Sequence, residues 1–294
     1  MHEDENAYES LIDAHGGEER WAFGTGFDDP LAGVDTTVPD GVDARSLALQ
    51  CLSLGDDALV MSQRLAGWCS NAPELEDDVA LANIALDLLG QARLLLSRAA
   101  QADPSLRPAG APEHIPDEDA LAYFRDPPGF RNVRLAELAD GGDFARCIAR
   151  LFLFVTWRLA QLTRHACSPD PVLAAIAAKA VTELTYHREY AAGWVVRLGD
   201  GTDVSHQRMQ DAVGWVWPYA DELFDEEIAA AGNALRAEVD DVVSQVLATA
   251  TLAEAPPHRA LTSVRGREGN HTQELTELLA DLQAVARAHP TATW

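Results

Sequence analysis

The stretch from Asp170 to Leu198, DPVLAAIAAKAVTELTYHREYAAGWVVRL, constrains the fold more than any other part of this sequence. It is long enough and apolar enough to be a buried helix. Asp170 can cap its start, Pro171 suits the first helical position, and Gly199 is expected as a left-handed stop. A helix of this length needs other helices around it, so the sequence predicts a helical bundle.

A polar stripe interrupts the apolar surface of this helix. Lys179, Glu183 and His187 recur every four residues and therefore lie near one face. A Glu and a His that face the interior of a bundle are half of what a carboxylate di-iron site needs. The other helices decide whether the site is complete.

Helical periodicity extends over most of the remaining chain, and no strand pattern or repeat is present. A proline-rich connection over 103–142, with a short helix at 117–125, suits a bundle whose halves are joined by one long link. We predict an irregular N-terminal arm over residues 1–45 and one helical domain over 46–294. The predicted long helices are 46–69, 73–102, 143–167, 170–198, 202–224 (broken near Trp217-Pro218), 225–253 and 272–288.

The arm differs from the rest because it is rich in glycine and lacks sustained periodicity. Its Trp21, Phe23 and Phe27 indicate that part of it docks on a surface.

Composition excludes several classes of function. The formal net charge of −25 disfavours a nucleic-acid or anionic-membrane partner. No apolar run approaches the roughly 18 residues of a membrane span, and the acidic start is no signal peptide. The four cysteines lie far apart and are expected to be buried reduced thiols. We therefore expect a cytoplasmic protein.

The other helices do not complete a di-iron ligand set. Such a site takes a carboxylate from two helices and a Glu-x-x-His pair from the other two. The first helix offers Asp56 or Asp57, but no histidine follows Asp87 on the second, and the third has no carboxylate from Phe144 to Cys167. On the fourth helix His187 comes one residue too late after Glu183. A complete centre is not expected, and a single metal at Asp87, Glu183 and His187 remains an alternative.

The favoured interpretation is a vestigial site in which a lysine replaces the metal charge. Lys179 is predicted to be buried and to compensate Asp57, Asp87 or Glu183, because unpaired buried carboxylates are costly. The alternative is that Lys179 and Glu183 form a surface pair.

Other groups allow further hypotheses. Four arginines of the third helix could bind the phosphates of a coenzyme A thioester: Arg146, Arg150, Arg158 and Arg164. The aromatic residues between Trp215 and Phe224 suit a core or a partner interface. His271 is expected to be an exposed loop residue.

Several segments carry a family resemblance, including LGDDALVMSQRLAGWCSNAPELEDDVALANIALDLLGQARLLL and GREGNHTQELTELLADLQAVARAHPTATW. From about Ser46 to Trp294 the chain resembles the structural C-subunit family of phenylacetyl-CoA 1,2-epoxidase complexes. The resemblance implies a ferritin-like four-helix bundle with additional C-terminal helices. It also implies a multicomponent monooxygenase of aerobic phenylacetate degradation.

The resemblance implies cofactors and partners outside this chain. A homologous catalytic subunit would hold the di-iron centre, and a reductase would supply electrons from NADPH through FAD and iron–sulfur centres. This chain would be a non-catalytic subunit of a hetero-oligomer, without a cofactor of its own. We expect the partner to contact residues 79–89 and 215–224. Two alternatives remain: a metal-binding oxygenase with an atypical ligand set, and an acyl-CoA-binding module.

Overall fold

The computed structural model describes residues 31–224, 231–255 and 264–292, and Val34–Trp294 form one compact unit. Every regular element in these ranges is helical, which confirms the all-α prediction. The helices are α1 (Ala44–Ala66), α2 (Leu75–Ala102), α3 (Asp117–Tyr123), α4 (Arg134–Glu137), α5 (Phe144–His165), α6 (Pro171–Gly199), α7 (Asp203–Val216), α8 (Ala231–Thr249) and α9 (Gln273–Ala288).

Four long helices form the bundle. Short connections make α1 pack along α2 and α5 along α6, and α2 also contacts α6. The long crossover between α2 and α5 carries α3 and α4 and joins the two pairs. This arrangement confirms the predicted ferritin-like bundle, and α7, α8 and α9 are the additional C-terminal helices.

Helix α5 is the central helix of the unit. All of its residues from Cys147 to Leu162 are buried, because α6, α7 and α8 also pack against it. Its start is capped by Asp143, whose Oδ1 accepts a hydrogen bond of 2.9 Å from the backbone N–H of Ala145. A polar side chain within this stretch is therefore shielded from bulk water.

The predicted start of α6 is confirmed, but its predicted end is wrong. Asp170 Oδ1 accepts a hydrogen bond of 2.8 Å from Leu173 N, and Pro171 is the first helical residue. Gly199 is the last helical residue and is not among the residues with positive φ. A Cβ at Gly199 would lie 2.4 Å from the carbonyl oxygen of Ala250, so the glycine permits close packing and not a left-handed turn.

The segment before α9 lies against the crossover. A Cβ at Gly266 would come within 2.1 Å of the carbonyl oxygen of Asn132, and Gly269 has a φ of +81°. These two glycines let the backbone approach the crossover closely. As a result the side chain between them, Arg267, points into the bundle and is buried.

Parts of the predicted organisation fall outside the described residues. They include most of the arm, with Trp21, Phe23 and Phe27, and the predicted helical residues 225–230. Within the described range, 31–43 form turns and bends, and α1 begins at Ala44.

Candidate functional site

Lys179 is not the buried cation that the sequence analysis predicted. Its side chain is 38% exposed, and its Nζ lies 3.5 Å from Glu183 Oε1 in an i,i+4 pair. The alternative of a surface pair is the correct one. Successive residues at four-residue spacing rotate by about 40° around a helix, so Lys179 lies about 80° away from His187, which is buried.

Asp57 is paired with an arginine from a distant part of the chain. Arg267 donates from both terminal nitrogens to the two oxygens of Asp57, at 2.8 Å each. The backbone N–H of Val133 also donates to Asp57 Oδ1 at 2.8 Å. The aspartate is fully buried, so this bidentate contact satisfies a charge that would otherwise be costly.

Asp56, the neighbour of Asp57, is held in the same way. It pairs with both terminal nitrogens of Arg125 and accepts a hydrogen bond of 2.9 Å from the backbone N–H of Arg131. Both aspartates of α1 thus fasten the crossover to the bundle and leave no open carboxylate there.

A second network crosses the centre of the bundle through Arg158 of α5. Arg158 Nε donates to Gln91 Oε1 at 3.1 Å, and Gln91 Nε2 donates to Glu183 Oε2 at 2.9 Å. Arg158 Nη1 donates to the carbonyl oxygen of Leu54 at 3.1 Å. The network therefore joins α1, α2, α5 and α6.

Arg158 is fully buried, and this burial lowers the pKa of its guanidinium to about 10. The charge of Arg267 acts in the same direction, whereas Asp57 and Glu183 oppose the shift. At neutral pH the side chain is still a cation. The bundle interior thus contains guanidinium charge beside its carboxylates.

Asp87 and His187 form a pair between α2 and α6. His187 Nε2 lies 2.9 Å from Asp87 Oδ2, the His187 side chain is 5% exposed, and that of Asp87 is 42% exposed. His187 Nδ1 is buried and has no hydrogen-bond partner among the described residues. A carboxylate on one ring nitrogen also supports imidazoles that bind metals.

The residues present nevertheless do not fit a di-iron centre. Asp57 is occupied by Arg267, and Glu183 contacts Gln91 and Lys179. Among the described residues no group of three or more His, Cys, Asp or Glu side chains is placed to hold a metal. Asp87, Glu183 and His187 are neighbours but do not form such a group, and α5 supplies a cation where a carboxylate ligand is required.

The four arginines of α5 do not converge on a phosphate site. Arg150 contacts Asp140, Arg158 lies in the core, Arg164 contacts Glu238, and Arg146 stacks over the ring of Trp215. Each guanidinium thus has its own protein contact. The arrangement gives no support to the acyl-CoA-binding hypothesis.

His271 is not the exposed loop residue that was expected. Its side chain is 3% exposed, with Nδ1 2.6 Å from Glu137 Oε1 and Nε2 2.9 Å from the carbonyl oxygen of Phe130. It fastens the start of α9 to the crossover. The expectation failed because these partners lie more than a hundred residues away in sequence.

The cysteines divide into two classes. Cys51 and Cys147 are buried, and burial raises the pKa of each thiol to about 12, so they are inert core residues. Cys69 and Cys167 are exposed, contrary to the expectation that all four are buried. Both follow the end of a helix, where apolar periodicity no longer predicts burial.

Helix α2 leaves much of its apolar surface uncovered. Leu75, Val79 and Leu86 are 76%, 54% and 63% exposed, and Leu89 is 42% exposed. By length and composition α2 could span a membrane, yet core helices of other proteins pass the same test, and 44% of its most apolar window is buried. These residues fall within or beside the predicted contact region 79–89.

The exposed surface continues onto α6. Tyr186 is 68% exposed, and a cavity of about 330 Å³ separates the two helices. The second predicted contact region is less open, because Trp215, Trp217 and Tyr219 are only partly exposed and Phe224 is buried. We call the outward surface of α2 and α6, with Leu75, Val79, Leu86, Leu89 and Tyr186, the α2/α6 face.

Comparison with known proteins gives two matches. The model of the family described as "Phenylacetic acid catabolic protein" matches residues 34–294. The chain is also 44% identical over 258 residues to the C subunit of 1,2-phenylacetyl-CoA epoxidase from Escherichia coli (strain K12). That alignment covers 84% of this chain and 99% of the Escherichia coli protein.

Proposed function

The chain belongs to the phenylacetic acid catabolic protein family, and from this membership we propose that it is the structural subunit of a phenylacetyl-CoA epoxidase. In this role it does not carry out the oxygenation. It holds a homologous di-iron subunit in a productive assembly, and a reductase delivers electrons from NADPH to that partner. Such an assembly would lie in the cytoplasm.

The observation that carries the proposal is the ion-pair network of the bundle interior. In a di-iron bundle the carboxylates of four helices neutralise the metal charge. In this chain Arg267 compensates Asp57, and Arg158 reaches Glu183 through Gln91. A bundle whose buried carboxylates are compensated by internal cations does not need metal charge for its stability.

The α2/α6 face supports the second part of the proposal, which is that this chain binds a homologous subunit. Large apolar side chains rarely form one continuous exposed surface on a protein that acts alone. A homologous bundle would present a similar pair of long helices, and helix-on-helix contact would cover this face. We expect the contact to bury more than about 2,000 Å², as obligate interfaces do.

Reconstitution tests the proposal. The catalytic subunit and the reductase are assayed for NADPH-dependent epoxidation of phenylacetyl-CoA, with and without this chain. We expect turnover only when this chain is present. Full activity of the catalytic subunit and reductase alone would refute the structural role.

Iron content separates the structural role from an atypical oxygenase. After anaerobic loading with Fe(II) and desalting, we expect well under one iron per chain (metal analysis) and no absorption of an oxo-bridged pair. Two irons bound per chain would favour the oxygenase alternative.

A further inference from the structure

The cavity between α2 and α6 brings several polar side chains together beside the apolar α2/α6 face. It has a volume of about 330 Å³ and is lined by Ala80, Asn83, Ile84, Asp87, Thr182, Glu183, Tyr186, His187 and Tyr190. Two of these side chains are carboxylates. The exposed side chains of Leu86 and Tyr186 lie beside it on the two helices.

Only one of the two carboxylate oxygens of Asp87 has a hydrogen-bond partner among the described residues. Its Oδ2 contacts His187 Nε2 at 2.9 Å, whereas its Oδ1 makes no hydrogen bond with the described residues. The side chain is 42% exposed, so water can serve the second oxygen in the isolated chain. Asp87 Oδ1 is therefore an acceptor of the cavity that takes no part in the hydrogen-bond network of the bundle interior.

A partner that covers the α2/α6 face would remove that water. A carboxylate that loses its water without gaining a donor is strongly destabilised or is neutralised by a proton. We therefore infer that the catalytic subunit inserts a basic side chain into this cavity and donates to Asp87 Oδ1. The inference rests on the proposed function, because it assigns a contact within the assembly proposed above.

The charges around the cavity favour a cation over a neutral donor. Glu183 already has Lys179 on one oxygen and Gln91 on the other. Asp87 has only His187, whose second ring nitrogen makes no hydrogen bond in the described part of the chain. Of the two carboxylates that line the cavity, Asp87 is thus the one without a lysine or arginine partner among the described residues. The Tyr186 ring beside it offers a face for a guanidinium.

Tyr190, which also lines the cavity, already forms a hydrogen bond with Asp77. Tyr190 OH donates to Asp77 Oδ1 at 3.0 Å, and Trp194 Nε1 donates to the same oxygen at 2.9 Å. Asp87 is therefore the acceptor that a partner would meet on entering the cavity.

Binding measurements with an Asp87→Asn variant test the inference. The asparagine keeps a carbonyl oxygen for His187, so the fold is retained, and the thermal midpoint checks this. Asp241→Asn, an equal charge change on the exposed side of α8, is the matched control. The affinity of each chain for the purified catalytic subunit is measured at low and at high salt.

We expect Asp87→Asn to weaken binding by at least about tenfold, mainly through faster dissociation, and to reduce the salt dependence. Asp241→Asn should bind like the wild type. Equal affinities of the wild type and Asp87→Asn would overturn the inference and leave the structural role intact. Failure of the wild type to bind the catalytic subunit, or self-association through this face, would overturn the proposed function itself.

Discussion

Arg158 and Arg267 place two guanidinium groups among the carboxylates of the bundle interior. A buried ion pair adds little net stability over an apolar pair, but the loss of one member leaves an unpaired buried charge. The two arginines are therefore required because the carboxylates are present. Their contribution is best measured by removing the partners singly and together.

Replacement of Arg267 by methionine tests this dependence. It leaves Asp57 buried with only backbone donors, so we expect the free energy of unfolding in urea to fall by about 3–5 kcal/mol. The double variant Arg267→Met/Asp57→Leu should lose clearly less. A single variant within about 0.5 kcal/mol of the wild type would contradict the assignment.

The free energy of unfolding is expected to depend on pH through the carboxyl group of Glu222. Burial raises the pKa of its carboxyl to about 7, although the backbone N–H groups of Gly266 and Arg134 act in the opposite direction. Since the folded pKa exceeds the unfolded value of about 4.3, the folded state binds the extra proton between them. The resulting stabilisation is complete below pH about 4 and is lost as the pH rises through about 7.

Glu222→Gln should remove this component. Between pH 4.5 and 8 the unfolding free energy of the wild type should fall relative to that of the variant. We expect this relative loss to be on the order of 3 kcal/mol. Urea titrations across this range measure the difference. Parallel pH profiles of the two proteins would show that Glu222 does not titrate with a raised pKa.

Lys179→Met should have little effect on stability. The side chain is more than a third exposed, and its contact with Glu183 is an ordinary i,i+4 pair. Such pairs contribute a few tenths of a kcal/mol, so we expect a change below about 0.5 kcal/mol in the same urea assay. A loss of 3 kcal/mol would restore the hypothesis of a buried lysine.

Among the elements, α2 differs most from the expectation for a core helix. Its apolar residues from Val79 to Leu89 indicate burial on most sides, yet Val79, Leu86 and Leu89 are exposed. The single chain covers only those surfaces of α2 that face its own bundle, and under the proposed function the catalytic subunit would cover the rest. Helix α5, in contrast, is buried at every residue from Cys147 to Leu162.

Leu86→Glu tests the α2/α6 face at the level of the helix. The residue is 63% exposed, so the variant should unfold within about 0.5 kcal/mol of the wild type. A charge at the centre of an apolar contact should nonetheless weaken binding to the catalytic subunit by at least about tenfold. Val285→Glu, at a 54% exposed position on α9, is the control. Unchanged binding by Leu86→Glu would place the interface elsewhere.

The helices could be predicted from the sequence, because periodicity and capping are local. The Asp170 cap, the helix predicted over 143–167 and the break at Trp217–Pro218 are all confirmed. The ion pairs could not be predicted from the sequence, since Arg267 and Asp57 are 210 positions apart and no local pattern links them. Arg158 offered a signal that was missed, because an arginine between apolar neighbours in a core helix is expected to be buried with a partner.

At the scale of the whole molecule, long-range contacts of charged side chains fasten the C-terminal segment to the bundle. Arg267 reaches Asp57, His271 reaches Glu137, and Glu222 accepts a hydrogen bond of 2.7 Å from Gly266 N. The segment thus closes the crossover side of the bundle and leaves the α2/α6 face open. Within the described residues the crossover side is thus covered by the chain itself, and the α2/α6 face is the surface at which we propose that the partner binds.

Lys179 gives the α2/α6 face one further property. It is the only lysine in the sequence, and its partly exposed amine pairs with Glu183, a residue that lines the cavity. Apart from the chain's own amino terminus, an acylating dye or cross-linker has therefore a single amine to modify. Labelling of the wild-type protein is therefore directed to the edge of the surface where assembly is expected. If the partner covers this surface, the Lys179 amine should react more slowly, so the labelling rate reports docking without an engineered label.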